Sequence, residues 1–230
     1  MMKFFPFLFI LLVVASVSFA QHSEVRDVAR FNRVSHGLSG TLYLTQGPNQ
    51  KVELKGDRDD VEDVITEVRG DRLVIKMRSN RWGNWTGNNR VDIYLTVKDL
   101  EGLNLSGSGK VYGQNRIKSD FLELDVSGSG KMELEADADE TDISISGSGK
   151  IELSGSGDES KISISGSGKV SAEQFEAKSY SIRISGSGSC RIHARESIDA
   201  RISGSGSVYY KGDPRHVNSN SSGSGKVRKM

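Results

Sequence analysis

A chain of 230 residues with 31 lysines and arginines against 30 aspartates and glutamates is long enough to bury a core, yet carries no net charge that would draw it to nucleic acid or to an anionic membrane. Its single cysteine, Cys190, rules out an internal disulfide framework. With 35% hydrophobic residues and 26 glycines, the expected core is thin and elongated rather than thick and globular.

In chain order, Lys3 is a short positive start, Phe4 to Val14 an uncharged apolar run, and Ser18-Phe19-Ala20 places small residues where a signal peptidase reads. The run is too short for a membrane span, so residues 1–20 read as a signal peptide cleaved after Ala20, and the mature chain as exported. No cysteine follows the run, which argues against lipid modification. Losing Lys3 leaves 30 basic against 30 acidic residues, and no later stretch is apolar enough to span a bilayer.

Residues 21–105 hold short strand patterns: Phe31 to Val34, Thr41 to Leu44, Lys51 to Leu54, Leu73 to Met77 and Val91 to Val97. Gly37, Gly40, Gly47-Pro48, Gly56 and Gly70-Asp71 punctuate them. Asp59 to Glu67 is expected to make a short helical turn. This half reads as broader, less regular β coils that cap or widen a solenoid, with a separate small β domain as the alternative. Both tryptophans lie together in Arg81-Trp82-Gly83-Asn84-Trp85-Thr86-Gly87-Asn88-Asn89-Arg90. Rings beside amide and guanidinium groups suit stacking on a sugar or a protein partner, so Arg81, Trp82, Asn84, Trp85 and Arg90 are the candidate ligand-binding residues. The competing reading, the weightier one from sequence, folds the tryptophans back over the core.

From residue 106 to 230 the chain repeats. Ser-Gly-Ser-Gly begins at Ser106, Ser127, Ser146, Ser165, Ser185, Ser203 and Ser222, with steps of 21, 19, 19, 20, 18 and 19 residues. An eighth copy at Ser154 is half a period out of phase. Aligned on the motif, apolar columns appear on both sides. One residue before it stand Leu105, Val126, Ile145, Ile164, Ile184 and Ile202, and three before it Leu103, Leu124, Ile143, Ile162, Ile182 and Ala200. Five after its first serine stand Val111, Met132, Ile151, Val170, Cys190, Val208 and Val227. Seven after it stand Leu134, Leu153, Ala172, Ile192 and Tyr210.

Alternation at period two means strands with one buried face. Equivalent residues at one register over seven units mean stacking, which a hairpin meander does not require. The predicted fold is an all-β, single-stranded parallel β-helix or solenoid with roughly 20 residues per coil, coils about 4.8 Å apart and SGSG corners. Right-handed winding is the default for parallel crossovers. Glycine supplies positive φ at each corner, serine hydroxyls are expected to satisfy backbone groups there, and Cys190 falls in a core column as a small hydrophobe. Lys110, Lys131, Lys150, Lys169 and Lys226 line an outward column, with Glu133 and Glu152 two positions on. Their expected role is solvation and charge offset between coils.

Catalytic and metal chemistry is hard to place. Asp57, Asp59, Asp60, Glu62 and Asp63, and likewise Asp137, Asp139, Glu140 and Asp142, lack a calcium-loop spacing and read as solvated loops. His22, His36, His193 and His216 are scattered without a ligand pairing. The repeated Gly-Ser-Gly-Lys has neither the spacing nor the helix of a phosphate loop. No catalytic residue, cofactor or metal is assigned.

Phe31-Asn32-Arg33-Val34, Gly40 to Gly47, Val52-Glu53-Leu54-Lys55-Gly56-Asp57 and Asp71-Arg72-Leu73-Val74-Ile75, followed by the SGSG coils, resemble the auto-transporter adhesin head GIN domain family over nearly the whole mature chain. The resemblance implies a β-helix similar in outline to pectin lyases, without their catalytic residues, and a cell-adhesion role in Gram-negative bacteria. It departs from an autotransporter in that Val227-Arg228-Lys229-Met230 is not followed by translocator strands. The expected function is therefore an exported, non-catalytic surface or envelope binding module. Its location would be the periplasm, the outer surface or the extracellular space. Its partners would be an extracellular glycan or protein, or a second copy of the chain. A carbohydrate-active β-helix enzyme is the alternative.

Overall fold

Alternation of β-branched and aliphatic residues with polar ones gives each segment one face to bury, and the strands follow the pattern closely. The computed structural model describes residues 22–78 and 91–230. In chain order its elements are β1 (His22–Arg26), β2 (Arg33–His36), β3 (Thr41–Gln46), β4 (Lys51–Gly56), α1 (Arg58–Glu62), β5 (Val64–Arg69), β6 (Arg72–Met77), β7 (Asp92–Val97), β8 (Gly102–Gly107) and β9 (Lys110–Gly113). Then come β10 (Ile117–Gly128), β11 (Lys131–Gly147), β12 (Lys150–Gly166), β13 (Lys169–Gly186), β14 (Ser189–Gly204), β15 (Ser207–Lys211), β16 (His216–Gly223) and β17 (Lys226–Lys229). All the strands belong to one sheet that closes on itself as a β-solenoid of about 7 coils, about 19 residues apart.

From β10 onward each coil pairs in parallel with the next. Ile143 lies beside Ile162, Ile162 beside Ile182, and Ile182 beside Ala200, while Lys131, Lys150 and Lys169 follow one another on the outside. The aliphatic columns are buried as far as Val208, with Tyr210 and Val227 half-buried beyond it, and Cys190 is fully buried among them, which pushes its thiol pKa up. Phe175 is the largest fully buried side chain; its ring fills the space Gly157 leaves, since a Cβ there would lie 2.8 Å from the ring edge.

The corners explain why the repeat keeps two glycines. The first takes φ of 115 at Gly128, 117 at Gly147 and 111 at Gly166, a left-handed region closed to most side chains. Its carbonyl accepts the serine N–H one coil on: Ser148 N to Gly128 O and Ser167 N to Gly147 O are both 2.9 Å. A Cβ on Gly147 would meet Gly128 O at 2.6 Å. The second glycine, such as Gly149, is buried because a Cβ would meet Val126 Cγ1 at 2.4 Å. The expectation that serine hydroxyls tie the corners together is not met. Backbone amides make those bonds, and no hydroxyl of the seven in-phase motifs takes part in a side-chain hydrogen bond among the described residues. In the out-of-phase copy, Ser156 does bond Asp137, at 3.0 Å.

The N-terminal coils stack out of chain order. β2 pairs with β6 on one side and β8 on the other, and β3 likewise lies between β7 and β9. The later coil, β6 and β7, therefore sits outside the earlier one. Beyond it the pairing turns antiparallel, with β1 on β4, β4 on β7, and β5 on β6. The helical turn is shorter than Asp59 to Glu67: α1 stops at Glu62, and Val64-Ile65-Thr66 extends into β5, as β-branched residues favour. Val61 and Val64 are buried against this end.

His36 occupies a core column, register-paired with Ile75 and Leu105. Its Nε2 lies 3.3 Å from Gly40 O, and its buried Nδ1 has no partner among the described residues. Burial pushes its pKa down to about 4, against the Gly40 contact, which acts upward.

Two outcomes follow from these positions. Replacing Gly147 by alanine should lower the thermal midpoint by a strain on the order of 1–3 kcal/mol, whereas Ser148→Ala, at an exposed hydroxyl, should leave it within about 0.5 kcal/mol. A neutral core histidine gives stability that is complete above its unfolded pKa near 6.5 and lost as pH falls toward about 4. The unfolding free energy of the unmodified protein from urea titrations should therefore fall across that window, by an amount on the order of 3 kcal/mol. That of His36→Leu should stay flatter.

Candidate functional site

Because registers superimpose, outward residues form columns too, and two faces meet at each corner. After the corner, the outward column runs Tyr112, Glu133, Glu152 and Ser171, and continues the other way through Tyr43 and Tyr94 to Glu53. The tyrosines stack: Tyr43 and Tyr94 centroids are 4.9 Å apart with planes at 19°, and Tyr43 and Tyr112 are 6.3 Å apart at 28°. Lys55 Nζ covers the outer end at 4.2 Å from the Tyr94 ring, and Lys131 the other at 5.8 Å from Tyr112. Every ring face is occupied, so the ladder is no platform for a sugar ring. Beyond it, Lys131 reaches Glu133 at 3.0 Å and Glu152 on the next coil at 3.2 Å, and Lys150 also holds Glu152. Exposed pairs of this kind contribute little each, and they offset charge between coils as the sequence led one to expect.

The face before the corner is different. Its outward column two residues ahead of the motif reads Asn104, Asp125, Ser144, Ser163, Arg183, Arg201 and Asn220. Between this column and the first serines of the motif runs a groove of about 480 Å³ along the solenoid axis, spanning β11 to β16. One wall is the serine column Ser146, Ser165, Ser185, Ser203 and Ser222; the other begins with Ser144 and Ser163 and continues with Arg183, Arg201 and Asn220, over a floor of backbone above Ile145, Ile164, Ile184 and Ile202. Those isoleucines are only 1%, 2%, 2% and 3% exposed, yet carbon atoms make up most of the groove's exposed lining, so the hydroxyls stand in a mainly apolar trough.

Charge is graded along this face. At one end Glu123 pairs with Arg33, and Asp125 and Asp142 lie beside it. Partial burial, then repulsion from Glu123 and Asp142, pushes the Asp125 carboxyl up to about 6, with Arg72 acting the other way. At the other end Arg183 and Arg201 are neighbours on adjacent coils, and Arg201 pairs with Asp199 at 3.0 Å. Neither arginine stood out from sequence. The signal was available as a departure within one column, but that column carries meaning only once the coils are known to stack.

The candidates named from sequence, Arg81, Trp82, Asn84, Trp85 and Arg90, lie outside the described residues. Of the acidic stretches, Arg58 pairs with Glu62 at 2.9 Å, and Asp137 holds Arg116 at 3.2 Å. Among the described residues no cluster of histidine, cysteine and carboxylate side chains is arranged to hold a metal ion. The corner amides of the Gly-Ser-Gly-Lys stretches already donate to the preceding coil, as Lys150 N does to Gly130 O at 2.9 Å, so no phosphate cradle is open.

The model of the family described as putative auto-transporter adhesin, head GIN domain, matches residues 30–214. The chain belongs to this family. Solved structures resemble this head GIN domain over almost their whole length. A putative adhesin from Bacteroides fragilis is 24% identical with a TM-score of 0.85, covering 93% of this chain and 98% of its own. A structure named a putative lipid binding protein, from Parabacteroides distasonis, is 25% identical with a TM-score of 0.74 over 91% and 96%. A putative adhesin from Parabacteroides merdae is 23% identical with a TM-score of 0.72 over 91% and 96%. A comparison with curated proteins returns no match. Among the described residues, no helix is long and apolar enough to cross a membrane.

The Asp125 carboxyl sets a pH dependence opposite to that of His36. Its pKa is raised from 3.8 to about 6, so the stability of the protonated form is complete below 3.8 and lost as pH rises through about 6. Asp125→Asn should raise the thermal midpoint at pH well above 6 and bring no gain below 3.8, as read by melting curves across that range.

Proposed function

We propose that this head GIN domain is an exported, non-catalytic binding module of the adhesin type, acting at the cell surface or envelope of a Gram-negative bacterium. The observation that carries the reading is the groove face. A column of serine hydroxyls, joined by Ser144 and Ser163 on the facing wall, stands on a rigid stack of coils, and none of these takes part in the side-chain hydrogen bonds of the described residues. The fold spends its backbone on coil-to-coil bonds and leaves these donors and acceptors facing outward, which suits a hydroxyl-rich partner such as a glycan. Family membership and the two neighbours named putative adhesins point the same way. The neighbour named a putative lipid binding protein raises a second reading. With Ile145, Ile164, Ile184 and Ile202 no more than 3% exposed, the apolar surface an acyl chain would cover is that of the wall carbon atoms, which make up most of the groove's lining.

The segment from Arg81 to Arg90 is a second contact in this proposal, with Trp82 and Trp85 as stacking residues and Arg81, Asn84 and Arg90 as polar ones. A leader at residues 1–20 accounts for export.

The mature chain should bind members of a panel of extracellular glycans and matrix proteins in a saturable way, without consuming them. Release of unsaturated or reducing sugar ends would replace this reading by the polysaccharide-processing enzyme. The double variant Trp82→Ala, Trp85→Ala should lower affinity by about tenfold or more with an unchanged melting temperature. A large drop in melting temperature would instead assign the two rings to packing.

A further inference from the structure

Arg183 and Arg201 are register partners on adjacent coils. Like charges directly opposite one another across strands repel. Asp199 offsets Arg201 alone, and neither Arg183 nor Lys161 forms an ion pair among the described residues. Lys161, on the coil before Arg183, is the register partner of Asp142 and stands outside the groove. Two guanidiniums, one of them paired with a carboxylate, thus line the groove on its third and fourth coils, Arg183 and Arg201. Asp125 and Asp142 sit at the other end, beside Ser144. From Ser144 to Arg201 the groove crosses three coil spacings of about 4.8 Å, or about 14 Å, the length of a short oligosaccharide.

We infer that the groove binds a glycan ending in one acidic sugar, with its carboxylate on the Arg183–Arg201 pair and its neutral residues running toward Ser144 and Ser146. This deepens the binding reading above and depends on it. A guanidinium offers paired N–H donors that match a carboxylate, and two cationic side chains on adjacent coils attract an anion more strongly than either alone. The serine hydroxyls, able both to donate and to accept, meet sugar hydroxyls along the rest of the groove. Asp125 and Asp142 repel a second anionic residue at the far end, so a singly charged oligosaccharide is preferred over a polyanion. The same carboxylates and the neutral overall charge disfavour nucleic acid.

The test is calorimetric titration of the mature protein with 3′-sialyllactose, with lactose as the neutral control and hexagalacturonate as the polyanion. The expected result is binding of sialyllactose at least about tenfold tighter than lactose, weakening as salt rises. Arg183→Gln with Arg201→Gln should abolish the preference at an unchanged melting temperature. Hexagalacturonate should bind more weakly than sialyllactose, and Asp125→Asn with Asp142→Asn should narrow that gap. Equal affinity for lactose, salt-independent binding, or full binding by the arginine double variant would overturn the inference. So would tighter binding to vesicles of phosphatidylglycerol, or a concentration-dependent doubling of mass abolished by the same variant, which would give the face to lipid or to a second copy. If panel glycans bind the double variant normally, only this inference fails. If no glycan or matrix protein binds at all, the binding reading fails with it.

Discussion

From Gly107 to Gly186 the carbonyl of a left-handed corner glycine accepts an N–H from the serine one coil on (at the last corner Gly225 N takes that place), and the remaining architecture is organised around that bond. With Gly147 O held 2.9 Å from Ser167 N, the corner of one coil lies directly over the corner of the last. Because side chains alternate faces along a strand, a slip of one residue would send Ile164 outward and Ser165 inward. Fixing one point per coil therefore fixes the identity of every column. The glycine that donates the conformation also supplies the space, since any Cβ at Gly166 would press on Gly147 O at 2.6 Å.

Columns make a thin core sufficient. Each isoleucine touches its equivalents above and below, so a small set of branched side chains is packed on all sides although the coil is narrow. Irregular coils keep the same principle by local exchange, as where Phe175 enters the space of Gly157 one coil away. The two ends need other devices, because parallel edges invite further pairing. Toward the N-terminal end, antiparallel strands and α1 cover the last parallel coil. In the final coil, Ser219 and Ser221 replace the aliphatic residues of their columns, and β17 carries Lys226, Arg228 and Lys229. A polar interior and a basic strand make a poor template for another chain.

What was legible in the sequence was whatever a repeating column expresses. The buried state of Ile143, Ile162 and Ile182, and of Cys190 in the place of a valine, follows from spacing alone. So does the outward ladder of Lys131 and Lys150 with its glutamates. Stacking order was not legible, because β2 presents equally suitable edges to β6 and to β8 and nothing local says which coil lies between which. The role of the serines was misread for a related reason. A hydroxyl beside a corner has several backbone groups in reach, but the close approach of glycine backbones already satisfies them. That same satisfaction is what leaves the hydroxyls free, and so the misreading and the groove have one cause. The aromatic feature that sequence favoured, Trp82 and Trp85, drew attention because of rarity. The stacked Tyr43, Tyr94 and Tyr112 escaped it because they come together only through the out-of-order coil.

A scaffold of this kind separates stability from recognition unusually cleanly. Inward columns and corners carry the fold, so an outward position such as Ser163 or Arg183 can change without touching either. Specificity then becomes a matter of which residue interrupts an otherwise uniform column, and where along the axis it does so. The carboxylates near Asp125 and the guanidiniums of Arg183 and Arg201 are two such interruptions on one face, set about three coils apart. Because the backbone beneath them is cross-bonded coil by coil, their backbone positions are set before any partner arrives, and binding need not be charged with the ordering of a flexible loop. Preorganised hydroxyls with a charge at one end give a ligand both a line to follow and a direction to lie in.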